Sequence, residues 1–254
     1  MKKKKLIVGN WKMNPSTKDE AKEIFSKIKR VAEKENNTKT ILCVPAIHFL
    51  ALSSSKNKNF SVGLQNVFWQ NGGAFTGEIS PEMAKYSGAE YVIVGHSERR
   101  EMGETDEVVS KKIGAVLKEG LAGIFCVGEK VRDENGLYLD FLREQIKNGL
   151  SKVTRKNLGC LFVAYEPVWA IGKNYRNAML PKDIGETVIF IKKTLSDMFG
   201  QSFASGVPII YGGSVDSENA PGILTEGLAD GLLVGRQSLD PEEFGKIIKV
   251  ANEA

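Results

Sequence analysis

The chain has 254 residues, 42% hydrophobic, 26% charged and 8% aromatic, a balance that excludes disorder and can bury one large core. No long apolar run is present to span a membrane, and the four residues from Leu6 to Gly9 are too few for the apolar region of a signal peptide, so a cytoplasmic protein is expected. The net charge of +4 hides an uneven split, with 14 basic and 5 acidic side chains in residues 1–60. There, however, lysines and glutamates alternate at helical spacing from Lys18 to Lys34, a solvated face rather than the continuous basic stripe that nucleic acid requires.

Short apolar, β-branched runs recur along the chain, each followed by a polar turn and a helix-period stretch. The runs are Leu6–Val8, Thr40–Val44, Phe60–Leu64, Tyr91–Val94, Leu121–Val127, Leu161–Tyr165, Pro208–Tyr211 and Gly231–Val234. They are nearly unbroken rather than alternating, as expected of parallel strands buried on both faces. Thr17 followed by Glu20 forms a capping box opening a helix with Ile24, Ile28 and Val31 on one face. Val109, Ile113, Val116 and Leu117 form a second stripe, and Ile184, Val188, Ile191 and Leu195 a third. Eight strands alternating with helices predict a single (β/α)8 barrel over residues 1–254. The open doubly wound sheet is the alternative, weakened by the absence of G-x-G-x-x-G and Walker A motifs.

The three cysteines, Cys43, Cys126 and Cys160, show no paired spacing and read as reduced core thiols. Two histidines cannot build a multi-histidine metal site. His48, within the apolar stretch Ala46–Leu52, reads as structural.

In either architecture the chemistry lies beyond the carboxyl ends of the strands. Glu166 follows the sixth run and precedes Pro167, which biases it toward extended backbone at a strand end. It is a candidate general base or, equally, the partner of a nearby lysine. His96 follows the fourth run. If a helical turn begins at Ser97, its amides face the imidazole and favour the neutral ring; the alternative is a structural histidine. Lys12, shortly after the first run, could bind phosphate or stabilise an oxyanion, act as a Schiff-base nucleophile, or sit on the surface. The turns Gly212-Gly213-Ser214 and Gly235-Arg236 follow the last two runs, where such barrels often hold a phosphate.

Read together, seven segments in order resemble the triosephosphate isomerase family along almost the whole chain. They are Gly9-Asn10-Trp11-Lys12-Met13-Asn14, Gly73-Ala74-Phe75-Thr76-Gly77-Glu78-Ile79-Ser80, Val94-Gly95-His96-Ser97-Glu98-Arg99-Arg100, Cys126-Val127-Gly128-Glu129, Ala164-Tyr165-Glu166-Pro167-Val168-Trp169-Ala170-Ile171-Gly172, Tyr211-Gly212-Gly213-Ser214-Val215 and Val234-Gly235. The resemblance implies an aldose–ketose isomerase acting on triose phosphates in glycolysis and gluconeogenesis. Glu166 would move the proton, His96 polarise the carbonyl, Lys12 stabilise negative charge and Asn10 orient the substrate. The pairing of glutamate base with neutral histidine is the family's own well-known case. Amides of Gly172, Ser214, Gly235 and Arg236 would hold the phosphate of a small sugar substrate, and no metal or organic cofactor is implied.

The same resemblance makes Pro167 to about Leu180 a lid, including Val168 and Trp169, with Ile171 and Leu233 as apolar cover. It makes Glu98 a partner of Lys12, Arg99 with Glu104 an ion pair, and Thr76 the support of a second subunit's Asn10 and Lys12 in a homodimer. The chain departs from the family pattern in two places. Its lid continues Lys173-Asn174-Tyr175-Arg176-Asn177-Ala178-Met179-Leu180, longer than usual and without the second glycine. Arg236-Gln237 replaces a small pair beside the phosphate, and the guanidinium is expected to turn to solvent. The rivals are an isomerase of a four-carbon ketose phosphate, a Schiff-base aldolase using Lys12, and a non-catalytic barrel.

Overall fold

In chain order the strands are β1 (Lys5–Asn10), β2 (Thr38–Val44), β3 (Phe60–Leu64), β4 (Tyr91–Val94), β5 (Ala122–Val127), β6 (Leu161–Tyr165), β7 (Ile209–Tyr211) and β8 (Gly231–Val234). All are parallel, and each pairs with its sequence neighbours. β8 returns to β1, with Leu6 opposite Gly231 and Gly9 opposite Val234, so the sheet closes as a barrel. The computed structural model describes residues 4–53, 57–172 and 179–254.

The helices are α1 (Lys18–Ala32), α2 (Ala46–Leu52), α3 (Pro81–Tyr86), α4 (Ser97–Glu101), α5 (Asp106–Lys118), α6 (Leu137–Gly149), α7 (Pro181–Phe199), α8 (Gln201–Ala204), α9 (Ala220–Thr225) and α10 (Pro241–Glu253). Their starts are set by local chemistry. Thr17 accepts the Glu20 amide and Thr105 the Val108 amide. Asp240 takes those of Glu242 and Glu243 ahead of Pro241, whose missing N–H costs nothing at a first helical position.

The strands' near-continuous apolarity divides into two cores by the period of two. Leu6, Val8, Ile41, Cys43, Ile93, Ile124, Cys126, Ala164, Ile210 and Leu233 fill the barrel interior. Their neighbours, among them Ile7, Leu42, Val44, Val92, Val94 and Leu232, pack against the helices in a second, larger cluster. The stripes expected on α5 and α7 are buried there.

Four strands start or end one or two residues from the expected runs, and α1 turns a different face to the barrel. β1 runs on to Asn10, so that residue ends the strand instead of following it. The face of α1 facing the barrel is Ala21, Phe25, Ile28 and Ala32, while Ile24 and Val31 are only half-buried. Phe25 anchors this face by meeting Phe60 edge-on at 5.3 Å between ring centres. The helix keeps Ile28 inside but rotates to bury Phe25 more deeply than Ile24 and Val31.

This rotation gives a test by urea denaturation. Phe25→Ala is expected to cost about 3–5 kcal/mol and Ile24→Ala about 1 kcal/mol. Equal losses would mean that the buried face is not the one described.

Candidate active site

Lys12 is held in an unusual backbone state. Its φ is 53°, in the left-handed region that costs a non-glycine residue about 1–3 kcal/mol. Three contacts surround it. The Asn10 carboxamide oxygen accepts the Lys12 N–H at 3.0 Å. Gln65 Nε2 donates to the carbonyls of Lys12 at 2.9 Å and Cys43 at 3.1 Å. The fully buried Trp11 donates its indole N–H to the Ser238 carbonyl at 3.1 Å, locking the preceding residue. The outcome is a lysine whose Nζ meets Glu98 Oε1 at 2.6 Å.

His96 sits where β4 turns into α4. Gly95 makes the turn at φ 75°, and a Cβ there would come within 2.9 Å of a Val109 methyl. Arg100 braces the corner, donating to the Gly95 carbonyl at 2.8 Å and to Asp106 at 2.6 Å. The His96 imidazole then caps α4, with Nδ1 accepting the Glu98 N–H at 3.2 Å. A nitrogen that accepts carries no proton, so the ring proton resides on Nε2. That atom lies 3.2 Å from Glu166 Oε1.

Glu166 ends β6 and is almost wholly buried. Its amide donates to the Val127 carbonyl at 2.7 Å, continuing the ladder with β5 by one residue. Gly128 lies against its backbone so closely that a Cβ would fall 1.7 Å from the Glu166 carbonyl oxygen. The second carboxylate oxygen accepts the Ser97 N–H at 3.2 Å. No lysine pairs with Glu166 among the described residues, and the neighbours are instead His96, Ser97 and the buried Cys126. Burial pushes the Cys126 thiol up, and the Glu166 charge adds to the shift.

Around these groups opens a cavity of about 530 Å³ lined by Asn10, Lys12, His96, Glu166, Ile171, Gly172, Gly212, Gly213, Ser214, Val215, Asp216, Leu233, Gly235, Arg236 and Gln237. Gly172 adopts φ 73° at its edge. Arg236 opens a short 3-10 turn, Arg236–Leu239, with φ outside the left-handed region, so an arginine fits the backbone without strain. Arg236 is an exposed residue at the border of the cavity.

The remaining expected residues lie behind or outside the cavity. Pro167 leads into the 3-10 turn Val168–Ala170. Trp169 Nε1 and the Tyr165 hydroxyl both donate to Glu129 Oε1 at 2.9 Å, and the Val168 amide donates to the Glu129 carbonyl at 2.9 Å. Ser214 Oγ donates to the Ala170 carbonyl at 2.9 Å, joining the start of the expected lid to the expected phosphate turn. Positions 173–178 of that lid lie outside the described residues. Thr76 is on an exposed loop away from the cavity, and Arg99 pairs with Glu104. His48 is buried and bonds to the Pro15 carbonyl at 2.9 Å, a structural role.

Sequence reasoning assigned no role to Gln65, Arg100, Gly128 or Glu129, and it placed a helix start at Ser97 without foreseeing that the Ser97 amide meets Glu166. Arg100, Gly128 and Glu129 stand inside the family-like segments, which was their only signal. Gln65 had none. Among the described residues no group of three His, Cys, Asp or Glu could hold a metal ion.

A closed (β/α)8 barrel that gathers a buried carboxylate, a tautomerically fixed imidazole and a lysine beside glycine-rich turns defines the class of barrel enzymes that do acid–base chemistry on small anions. The family model for triosephosphate isomerase matches residues 5–251. Relatives named triosephosphate isomerase include those of Dehalococcoides mccartyi, 41% identical over 97% of this chain and 96% of the relative, and Thermodesulfovibrio yellowstonii, 39% identical over 97% and 99%. That of Fusobacterium nucleatum is 40% identical over 97% and 98%. The chain belongs to the triosephosphate isomerase family.

The imidazole geometry predicts a single tautomer. In ¹⁵N-histidine-labelled protein at neutral pH, long-range ¹⁵N–¹H spectra should place the His96 proton on Nε2. A proton on Nδ1 would contradict the capping bond.

Proposed function

We propose that this barrel interconverts dihydroxyacetone phosphate and D-glyceraldehyde 3-phosphate through an enediol(ate), with Glu166 as the base. The observation that carries this reading is the contact between Glu166 Oε1 and His96 Nε2 at 3.2 Å, with Nδ1 occupied by a backbone amide. Base and hydrogen-bond donor converge on one point of the cavity, where the reacting carbons and their oxygens would lie.

Glu166 takes the proton from the hydroxylated carbon of the ketose, and the C–H electron pair becomes the new carbon–carbon double bond. The carbonyl oxygen gains the negative charge, accepting a hydrogen bond from His96 Nε2. The hydroxyl proton on the first carbon's oxygen is transferred to the second carbon's oxygen by way of His96 Nε2. Glu166 returns its proton to the second carbon, and the first carbon is left as the aldehyde carbonyl. Lys12 contributes its ammonium charge to the enediolate, and Asn10 orients the substrate. The amides of Gly172, Ser214, Gly235 and Arg236 hold the phosphate, a reading supported by the presence of all four residues in the cavity lining. Pro167, Val168 and Trp169 start the lid, and Ile171 with Leu233 forms its apolar cover, keeping water from an intermediate that readily loses phosphate.

The ion pair of Lys12 with Glu98 at 2.6 Å supports an electrostatic role over a Schiff-base aldolase, which needs a free amine. A cytoplasmic location fits a glycolytic enzyme whose described helices include none long and apolar enough to cross a membrane. The protein works as a homodimer through the loop around Thr76, which would support the partner subunit's Asn10 and Lys12. Support comes from large apolar side chains left exposed after β1 to β4: Met13 at 95%, Ile47 at 86%, Tyr86 at 84% and Met102 at 72%.

Two experiments test these statements. Glu166→Asp withdraws the carboxylate by one methylene and should lower kcat for glyceraldehyde 3-phosphate by about 10²-fold or more, with little change in KM. An unchanged kcat, a marked preference for four-carbon ketose phosphates, or a borohydride-trapped adduct on Lys12 would sink the isomerase reading. For the assembly, sedimentation should give twice the chain mass for the wild type and monomers for Thr76→Arg. A wild-type monomer would refute the dimer.

A further inference from the structure

The cavity is lined by charged residues whose partners differ. Lys12 is matched by Glu98 at 2.6 Å. Asp216 is committed to its own turn, with Oδ1 accepting the amides of Glu218 and Asn219 at 3.0 and 2.9 Å. Glu166 is buried against His96 and Ser97. Arg236 has no hydrogen bond or ion pair to any acceptor among the described residues, and it is an exposed residue at the cavity's border. The turns beside it offer an anion uncharged groups: no described acceptor takes the amides of Gly213, Arg236 or Gln237. A dianion entering this space would meet the Glu166 carboxylate at one end, and Arg236 is the cation left to balance it.

We propose that the Arg236 guanidinium is a substrate-affinity determinant that donates charge-assisted hydrogen bonds to the phosphate held by the Ser214 and Gly235 turns. This rests on the phosphate-subsite reading above and adds a side chain to a subsite otherwise built from backbone. The planar fork of a guanidinium suits two phosphate oxygens at once, and an exposed position lets it reach the ligand without the desolvation that a buried cation suffers. Its binding energy is the same before and after proton transfer, because the phosphate takes no part in bond making. The contact therefore acts on KM and leaves kcat alone. It also makes binding sensitive to salt and selective for phosphorylated over phosphate-free sugars.

The test compares wild type with Arg236→Gln and Arg236→Lys, each of which keeps the backbone amide. Calorimetry with inorganic phosphate and steady-state kinetics with glyceraldehyde 3-phosphate are run at two ionic strengths. Arg236→Gln should weaken phosphate binding and raise KM by about tenfold, with kcat within about twofold. Its salt dependence should be shallower, and Arg236→Lys should fall between the two. Phosphate affinity and KM both unchanged in the Gln variant would overturn the proposal, as would a fall in kcat with phosphate affinity intact. A wild type that binds phosphate but does not isomerise trioses would instead remove the isomerase reading, while the phosphate affinities still decide the role of Arg236.

Discussion

The pairing of β8 with β1, from Leu6 opposite Gly231 to Gly9 opposite Val234, turns a curved parallel sheet into a ring. Without that seam the turn after β8 and the lysine after β1 would lie at opposite edges of an open sheet. With it, a Cβ placed on Gly235 would stand 3.4 Å from Lys12 Cε, although the two residues are separated by nearly the whole sequence. The carboxyl rim is thus one continuous floor, on which groups from β1, β4, β6, β7 and β8 face a common space. The interior layers of Leu, Ile, Val and Cys keep the ring filled, so that rim positions are held by packing and not by the loops alone.

Upon this floor His96 and Glu166 each bond a backbone amide, whereas Lys12 is placed by side chains that grip the backbone around it. The His96 ring is oriented by the first turn of the helix it caps. One Glu166 oxygen is taken by an amide of that same turn. A short helix therefore sets both the base and its hydrogen-bonding partner. Lys12 is aimed by a left-handed backbone held between Asn10, Gln65 and the buried Trp11. Backbone dipoles reorganise little during a reaction, which is why a site built this way can stabilise developing charge.

Behind the site, Glu129 gathers the Tyr165 hydroxyl and the Trp169 indole on one oxygen and the Val168 amide on its carbonyl. It links β5, β6 and the segment after Glu166, so the entry to the expected lid is tied to the barrel wall. Gly128, next to it, lets the two strand ends approach more closely than any side chain would allow.

Much of this was legible in the amino-acid order. Parallel strands buried on both faces must be apolar at successive positions, and four of the eight runs coincide with the observed strands residue for residue. Asn10, Lys12, His96, Glu166 and the glycine turns were visible because strand ends are where such barrels do chemistry. Other features depend on distances that no linear pattern carries. The buried face of α1 was decided by the fit of Phe25 against Phe60. Gln65 acquires its role only because β3 pairs with β2 and β2 with β1, which brings the end of β3 to the carbonyls of Cys43 and Lys12. The His96 tautomer follows from an amide two residues on, once a helix starts there. Arg236 was placed beside the phosphate by its turn, but that the cavity's other cation already has a partner is seen only in the folded chain. Residue type and period determined the elements and the candidates. Ring closure and side-chain packing decided which of them meet, because hydrogen bonds and charge act over a few ångströms of space and not along the chain.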